Sequence, residues 1–326
     1  MSSPFPPLPF DPGLAAVHSA LPPMEIGSKE ALESCRQFLD FKIQDVFRGK
    51  ENVLSHEDAE ISGPAGRLTA TIMRSKMRQP SSNTPGILHI HGGGHCAGNR
   101  MMGVALVLDM IETLGAVCVS AEYRLAPEHP QPAQVEDTYA ALKWMSEHAN
   151  ELGFNPHKLV VMGGSAGGNL SAGGNLAAGV ALLARDRSGP EICGQVLIYP
   201  VLNDSVETAS MQQFADTKPW TKVLSADACR YALGEDRSHS SIYAVPLRAK
   251  DLARLPPAFI DVGEADLFRD DSVEYASALW KSGVPAELHV YGGCWHGFDL
   301  FVPNAPISQK AKATRREWVR KLVGSS

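Results

Sequence analysis

Short apolar runs at residues 87–90, 116–119, 159–162, 196–198, 258–260 and 286–290 recur down this chain, separated mostly by helical segments. Strand alternating with helix at that spacing specifies an α/β fold with a mostly parallel sheet covered on both faces. Upstream, residues 51–74 alternate apolar and polar positions (Leu68, Ala70, Ile72) around Gly63-Pro64-Ala65-Gly66. That pattern predicts an antiparallel pair joined by a turn.

The flanking segments are different. Residues 1–25 hold seven of the 23 prolines, too many for helix or sheet, and are expected to form an irregular arm. Ser28 is a candidate N-cap for a helix in which Leu32, Cys35, Leu39, Ile43 and Val46 recur at helical spacing until Gly49. Residues 200–256 carry Phe214, Trp220 and Tyr231 but no clean strand, and a structureless loop of that length is improbable. The chain therefore divides into an N-terminal arm and lid helix (1–50), a core (51–200 and 251–326) and a lid insertion (201–250).

With 44% hydrophobic and 20% charged residues and a net charge of -6, the chain has the balance of a soluble protein and no basic stripe for nucleic acid. No run reaches membrane-spanning length. The six cysteines are scattered, with no C-x-x-C pair, which suits reduced thiols and a cytoplasmic location. The spacing of His89, His91, His95 and Cys96 is that of no standard zinc site, so no metal is expected, and no P-loop or dinucleotide fingerprint calls for a cofactor.

The chemistry-bearing residues follow the strand runs. Gly163-Gly164-Ser165-Ala166-Gly167 stands between an apolar run and an alanine-rich segment, a strand–turn–helix context in which glycines permit a tight bend that lifts a serine hydroxyl above the sheet. His91-Gly92-Gly93-Gly94 follows residues 87–90 directly, and its glycines can aim successive N–H groups at one oxyanion. Gly93, Gly94 and Ala166 are the expected donors, while His91 braces the loop. Asp266 follows the run at 258–260, and His296 follows the run at 286–290. Serine, acid and histidine thus occur in the chain order of a nucleophile, an orienting carboxylate and a general base. Glu264, Asp270 and Asp271 compete with Asp266, but the last two lie at a helix start, where the dipole accounts for acids.

One feature complicates the turn. Ser165-Ala166-Gly167-Gly168-Asn169-Leu170 is repeated at once as Ser171-Ala172-Gly173-Gly174-Asn175-Leu176. Ser171 is preceded by Asn169-Leu170 and not by a strand and glycine, so Ser165 is the expected nucleophile. Six helical residues advance about 9 Å and turn about 240°, so a simple helix extension would rotate Leu182 and Leu183 off the sheet. The added residues must bulge out, or the helix must be re-packed.

These motifs, with Tyr123-Arg124-Leu125-Ala126-Pro127-Glu128-His129-Pro130, Asp266-Leu267-Phe268-Arg269-Asp270 and His296-Gly297-Phe298, resemble the hormone-sensitive-lipase-like carboxylesterases of the α/β-hydrolase fold from about residue 30 to the C-terminus. The resemblance implies an eight-stranded core, a two-part lid, a bracing role for residues 123–130, and hydrolysis of short- to medium-chain esters with water and no cofactor. A homodimer stays open. Three departures stand out: Gly164 before the nucleophile, where relatives carry Asp, Glu or Thr; His95 after the glycines, where an aromatic is common; and the doubled hexapeptide. His95, Met101, Met102, Phe214 and Trp220 are candidates for lining the substrate pocket. A specialised natural-product hydrolase (lactonase, deacetylase or thioesterase) and a non-catalytic small-molecule receptor on the same scaffold are the alternative readings.

Overall fold

The computed structural model describes residues 5–6, 8–22, 24–164 and 172–324. Its strands are β1 (Leu54–Gly63), β2 (Gly66–Ser75), β3 (Gly86–Ile90), β4 (Val117–Ala121), β5 (Leu159–Gly164), β6 (Gly194–Ile198), β7 (Ala258–Gly263) and β8 (Ala286–Tyr291). They form one eight-stranded sheet in the order β1-β2-β4-β3-β5-β6-β7-β8. β1 pairs antiparallel with β2, as does β2 with β4, and every pair from β4 onward is parallel. Each expected run became a strand. β3 to β7 are buried along their whole length, as strands covered on both faces must be.

The helices are α1 (Pro12–Ala20), α2 (Lys29–Phe38), α3 (Ile43–Val46), α4 (Leu108–Leu114), α5 (Ala133–Glu147), α6 (Ala149–Leu152), α7 (Ala172–Asp186), α8 (Ala209–Gln213), α9 (Lys222–Leu233), α10 (Arg269–Lys281), α11 (Phe298–Phe301) and α12 (Pro306–Gly324). On one face of the sheet Leu88, Val119, Val161, Leu197 and Ile260 pack against α5, α7 and α10. On the other, Ile87, Cys118, Val160, Val196 and Phe259 meet α4 and α12.

Two expectations at the N-terminus are corrected. The proline-rich arm contains α1: Pro12 takes the first helical position, where its missing N–H costs nothing, and the Asp11 side chain caps the Gly13 N–H. The helix capped by Ser28 stops at Phe38, and Ile43 and Val46 belong to the separate short α3.

A third cluster joins Leu32, Cys35 and Leu39 of the α2 segment to Met211, Phe214, Trp220, Leu224 and Ala228 around α8 and α9, with Cys96, Ala97 and Phe268 beneath. Those last three follow β3 and β7, so this layer sits over the C-terminal ends of the strands. Trp220 is wholly buried and donates its indole N–H to Ser225. Truncating such a side chain costs about 3–5 kcal/mol.

Candidate active site

Across the sheet, β3, β5, β6, β7 and β8 are successive neighbours, so the loops leaving their C-terminal ends lie side by side. The loop after β3 is His91 to Gly94, that after β6 begins with Tyr199, that after β7 carries Asp266, and that after β8 carries His296. Residues 165–171, which follow β5 in sequence and include Ser165, Ala166 and Ser171, lie outside the described residues.

Asp266 and His296 meet. The His296 Nδ1–H donates to Asp266 Oδ2 at 2.8 Å, and both side chains are fully buried. The other carboxylate oxygen accepts the Phe268 N–H at 3.0 Å, which fixes the orientation of Asp266. Tyr199 and Phe268 stand edge-on to the imidazole with ring centroids 5.0 and 5.2 Å away. His296 Nε2 is buried and has no hydrogen-bond partner among the described residues. A ring held at Nδ1 by a carboxylate with Nε2 uncommitted is set to take and return a proton.

The competing acids are occupied elsewhere or set apart. Glu264 accepts the Gly293 N–H, and Asp270 accepts the Ser210 N–H while pairing with Arg269. Asp271 is buried in the first turn of α10 with neither oxygen partnered among the described residues, and burial pushes its carboxyl up to about 8, with Glu274 and Asp270 adding to the effect.

The glycine loop after β3 is held from several sides. Gly93 has φ +106, and a Cβ there would lie 1.9 Å from the Ala97 carbonyl oxygen, so only glycine fits. The Gly93 carbonyl accepts from Cys96 and Ala97, while no backbone carbonyl among the described residues accepts the Gly93 or Gly94 N–H. His91 stacks on Tyr123 at 4.0 Å and its Nδ1–H donates to the Gly92 carbonyl; the Tyr123 hydroxyl donates to the His91 carbonyl at 2.9 Å. Burial pushes His91 down to about 3 and His95 to about 4, so both are neutral at pH 7. The bracing expected of His91 and of residues 123–130 is therefore present. From α2, Arg36 donates to the Cys96 and Ala126 carbonyls and grips Glu128 with both terminal nitrogens.

The pocket candidates separate. Met102, Phe214 and Trp220 share the layer above the strand ends, whereas Met101 packs in the sheet core with Met73 and Val107. His95 is buried with φ +62, and its Nδ1 lies 3.4 Å from Gln131.

A family model described as alpha/beta hydrolase fold matches residues 87–300. The chain belongs to this family, in its hormone-sensitive-lipase-like branch. Esterase LipI of Mycobacterium tuberculosis is 34% identical over 304 residues, covering 93% of this chain and 92% of its own. Carboxylesterase NlhH of the same species is 37% identical over 232 residues, covering 70% and 71%. Among solved structures, a bacterial heroin esterase superposes with a TM-score of 0.87 at 33% identity, covering 96% of this chain and 98% of that one.

This α/β-hydrolase also contains residues that motif reading missed. Arg315 of α12 is fully buried; it donates to Asp261 of β7 at 2.6 Å and to Asp299, whose other oxygen accepts the Tyr199 hydroxyl at 3.0 Å. Asp299 lies three residues after His296, so the network ties the histidine loop to the sheet and to the C-terminal helix. A lone Arg in an amphipathic helix gives no local signal of this. Tyr199 sits in a positive-φ conformation straight after β6. No helix among the described residues is long and apolar enough to cross a membrane.

Proposed function

We propose that this α/β-hydrolase acts as a serine esterase through an acyl-enzyme, with a serine of the doubled hexapeptide as nucleophile, His296 as base and Asp266 as its orienting carboxylate. The chain is a carboxylic ester hydrolase. The buried His296–Asp266 pair, with Nε2 left without a partner among the described residues, carries the assignment. As the serine oxygen bonds the ester carbonyl carbon, its proton passes to His296 Nε2 and the carbonyl oxygen becomes an oxyanion for Gly93, Gly94 and an N–H at the head of α7. The C–O bond to the alcohol then breaks, and the alcohol leaves with the proton from His296. Water repeats the sequence: its proton goes to His296, its oxygen bonds the acyl carbon, and the serine oxygen departs with the returned proton.

No cofactor enters these steps. Residues 1–50 and 201–250 act as the two parts of the lid, a division supported by the cluster uniting α2 with α8 and α9. Because Met102, Phe214 and Trp220 fill the layer above the strand ends with their own side chains, short- to medium-chain acyl groups are the favoured substrates. A p-nitrophenyl ester series from acetate to decanoate tests both parts. Turnover should peak at short or medium acyl length and vanish in a Ser165→Ala/Ser171→Ala double variant, and full turnover by that folded double variant would refute the mechanism.

A further inference from the structure

Gly163, in the last two residues of β5, is in direct contact with Gly173 of α7. A Cβ on Gly163 would lie 1.9 Å from the Gly173 carbonyl oxygen; one on Gly173 would lie 2.3 Å from the Ile90 carbonyl oxygen and 2.6 Å from that of Gly164. A strand-to-helix elbow needs such a pair of glycines because the first helical turn crosses the strand end at backbone distance, and the second glycine stands two residues after the nucleophile. Gly167 and Gly173 hold that position in the two copies. Gly173 occupies the contact.

Resting on the serine-esterase reading above, we infer that Ser171 of the second copy is the nucleophile and that the N–H of Ala172, not Ala166, completes the oxyanion donors. The first copy is an insertion ahead of the working elbow. A glycine before the serine in sequence is not what the bend requires; what counts is which copy's glycine the strand end packs against, and Gly163 and Gly164 pack against Gly173 of the second copy.

The rest of α7 agrees independently. It runs unbroken through Gly173-Gly174 from Ala172, so the free N–H groups of its first turn belong to the second copy. Asn175 donates to the Val201 and Ala244 carbonyls at 2.9 Å each. Further on, Ala177, Val180, Ala181 and Leu183 are buried, and Arg185 donates to the Asp251 and Ala253 carbonyls. Seating the first copy against Gly163 with the helix continuous would move every residue six places along. Ser171 would then fall at the site of Ala177, Gly174 at that of Val180, Asn175 at that of Ala181, Ala177 at that of Leu183 and Gly179 at that of Arg185. Two polar side chains would enter a packed core, two apolar ones would shrink, and the Arg185 hydrogen bonds would be lost. With the second copy seated, none of this happens.

Because the copies are identical and adjacent, deleting residues 165–170 or 171–176 yields the same chain, with Gly164 leading directly into one hexapeptide. Three variants, assayed with p-nitrophenyl butyrate, test the assignment: Ser165→Ala, Ser171→Ala and this deletion. Ser171→Ala should lose at least about 10³-fold in kcat, with the other two retaining kcat/KM within about tenfold of the natural chain. Loss in Ser165→Ala, in both single variants or in a folded deletion chain would overturn it. To guard against misfolding, the natural chain is labelled with a fluorophosphonate and fragmented by tandem mass spectrometry. An adduct on Ser171 supports the assignment, and one on Ser165 overturns it while leaving the serine-esterase reading intact. Turnover with neither serine labelled, and undiminished in the double variant, would sink both.

Discussion

His296 Nδ1 lies 2.8 Å from Asp266 Oδ2, in a pair with no solvent exposure on either side chain. In the proposed mechanism the carboxylate holds the imidazole in the tautomer that leaves Nε2 free and stabilises the imidazolium formed in each half-reaction. Asp266→Asn should therefore lower kcat by about 10³–10⁴-fold with a much smaller change in KM. Steady-state kinetics on a p-nitrophenyl ester check this, and a change below tenfold would mean that the aspartate does not orient the base.

Gly93 is intolerant of any side chain, since a Cβ would meet the Ala97 carbonyl oxygen at 1.9 Å in a positive-φ conformation. Gly93→Ala must shift the loop and misdirect its N–H groups. Loss of an oxyanion donor typically costs about 10²–10³-fold in kcat. The decrease should appear in kcat more than in KM while far-ultraviolet circular dichroism stays native.

Arg315 pairs with both Asp261 and Asp299 in a fully buried cluster. Burial pushes Asp261 up to about 6, an effect that Arg315 opposes. Arg315→Ala leaves two carboxylates without their cation, which should lower stability by about 3–5 kcal/mol in urea unfolding. Because Asp299 lies in α11, directly after the loop that carries His296, kcat should also fall in molecules that remain folded, with partial rescue in Arg315→Lys. Unchanged stability would show that the triad is not a structural clamp.

Asp271 sets a pH dependence of stability. Its carboxyl titrates at about 8 in the folded chain, against about 3.9 when unfolded. Between those values the folded state binds the extra proton, so stability is greatest below the lower value and falls as pH rises toward the upper one. From pH 5 to 8 the loss through this group is on the order of 3 kcal/mol. Asp271→Asn should flatten that slope in unfolding titrations, and equal slopes for both chains would rule out a buried neutral carboxyl.

How far these features were legible depends on whether their signals are local. Strands β3 to β8 announced themselves as apolar runs, and the loops after them as glycine, aspartate and histidine motifs, because sheet position and loop chemistry are both written within a few residues. α1 was hidden by its own prolines, although Asp11 and Pro12 together form a start signal. The break between α2 and α3 carries no Gly or Pro to mark it. The two hexapeptides are identical, so local sequence cannot rank them; the contact of Gly163 with Gly173 and the register from Ala177 to Arg185 can. The Arg315 network joins residues 16 and 54 positions apart and has no local pattern at all.

Covalent catalysis by an activated serine is checked by intact mass after brief incubation with a fluorophosphonate ester. One phosphonyl group per folded chain, bound with loss of fluoride and of all esterase activity, and formed at least about 10³-fold more slowly in His296→Ala, is the expected result. Full ester turnover persisting in a chain that takes up no label, or labelling at the same rate without His296, would contradict it.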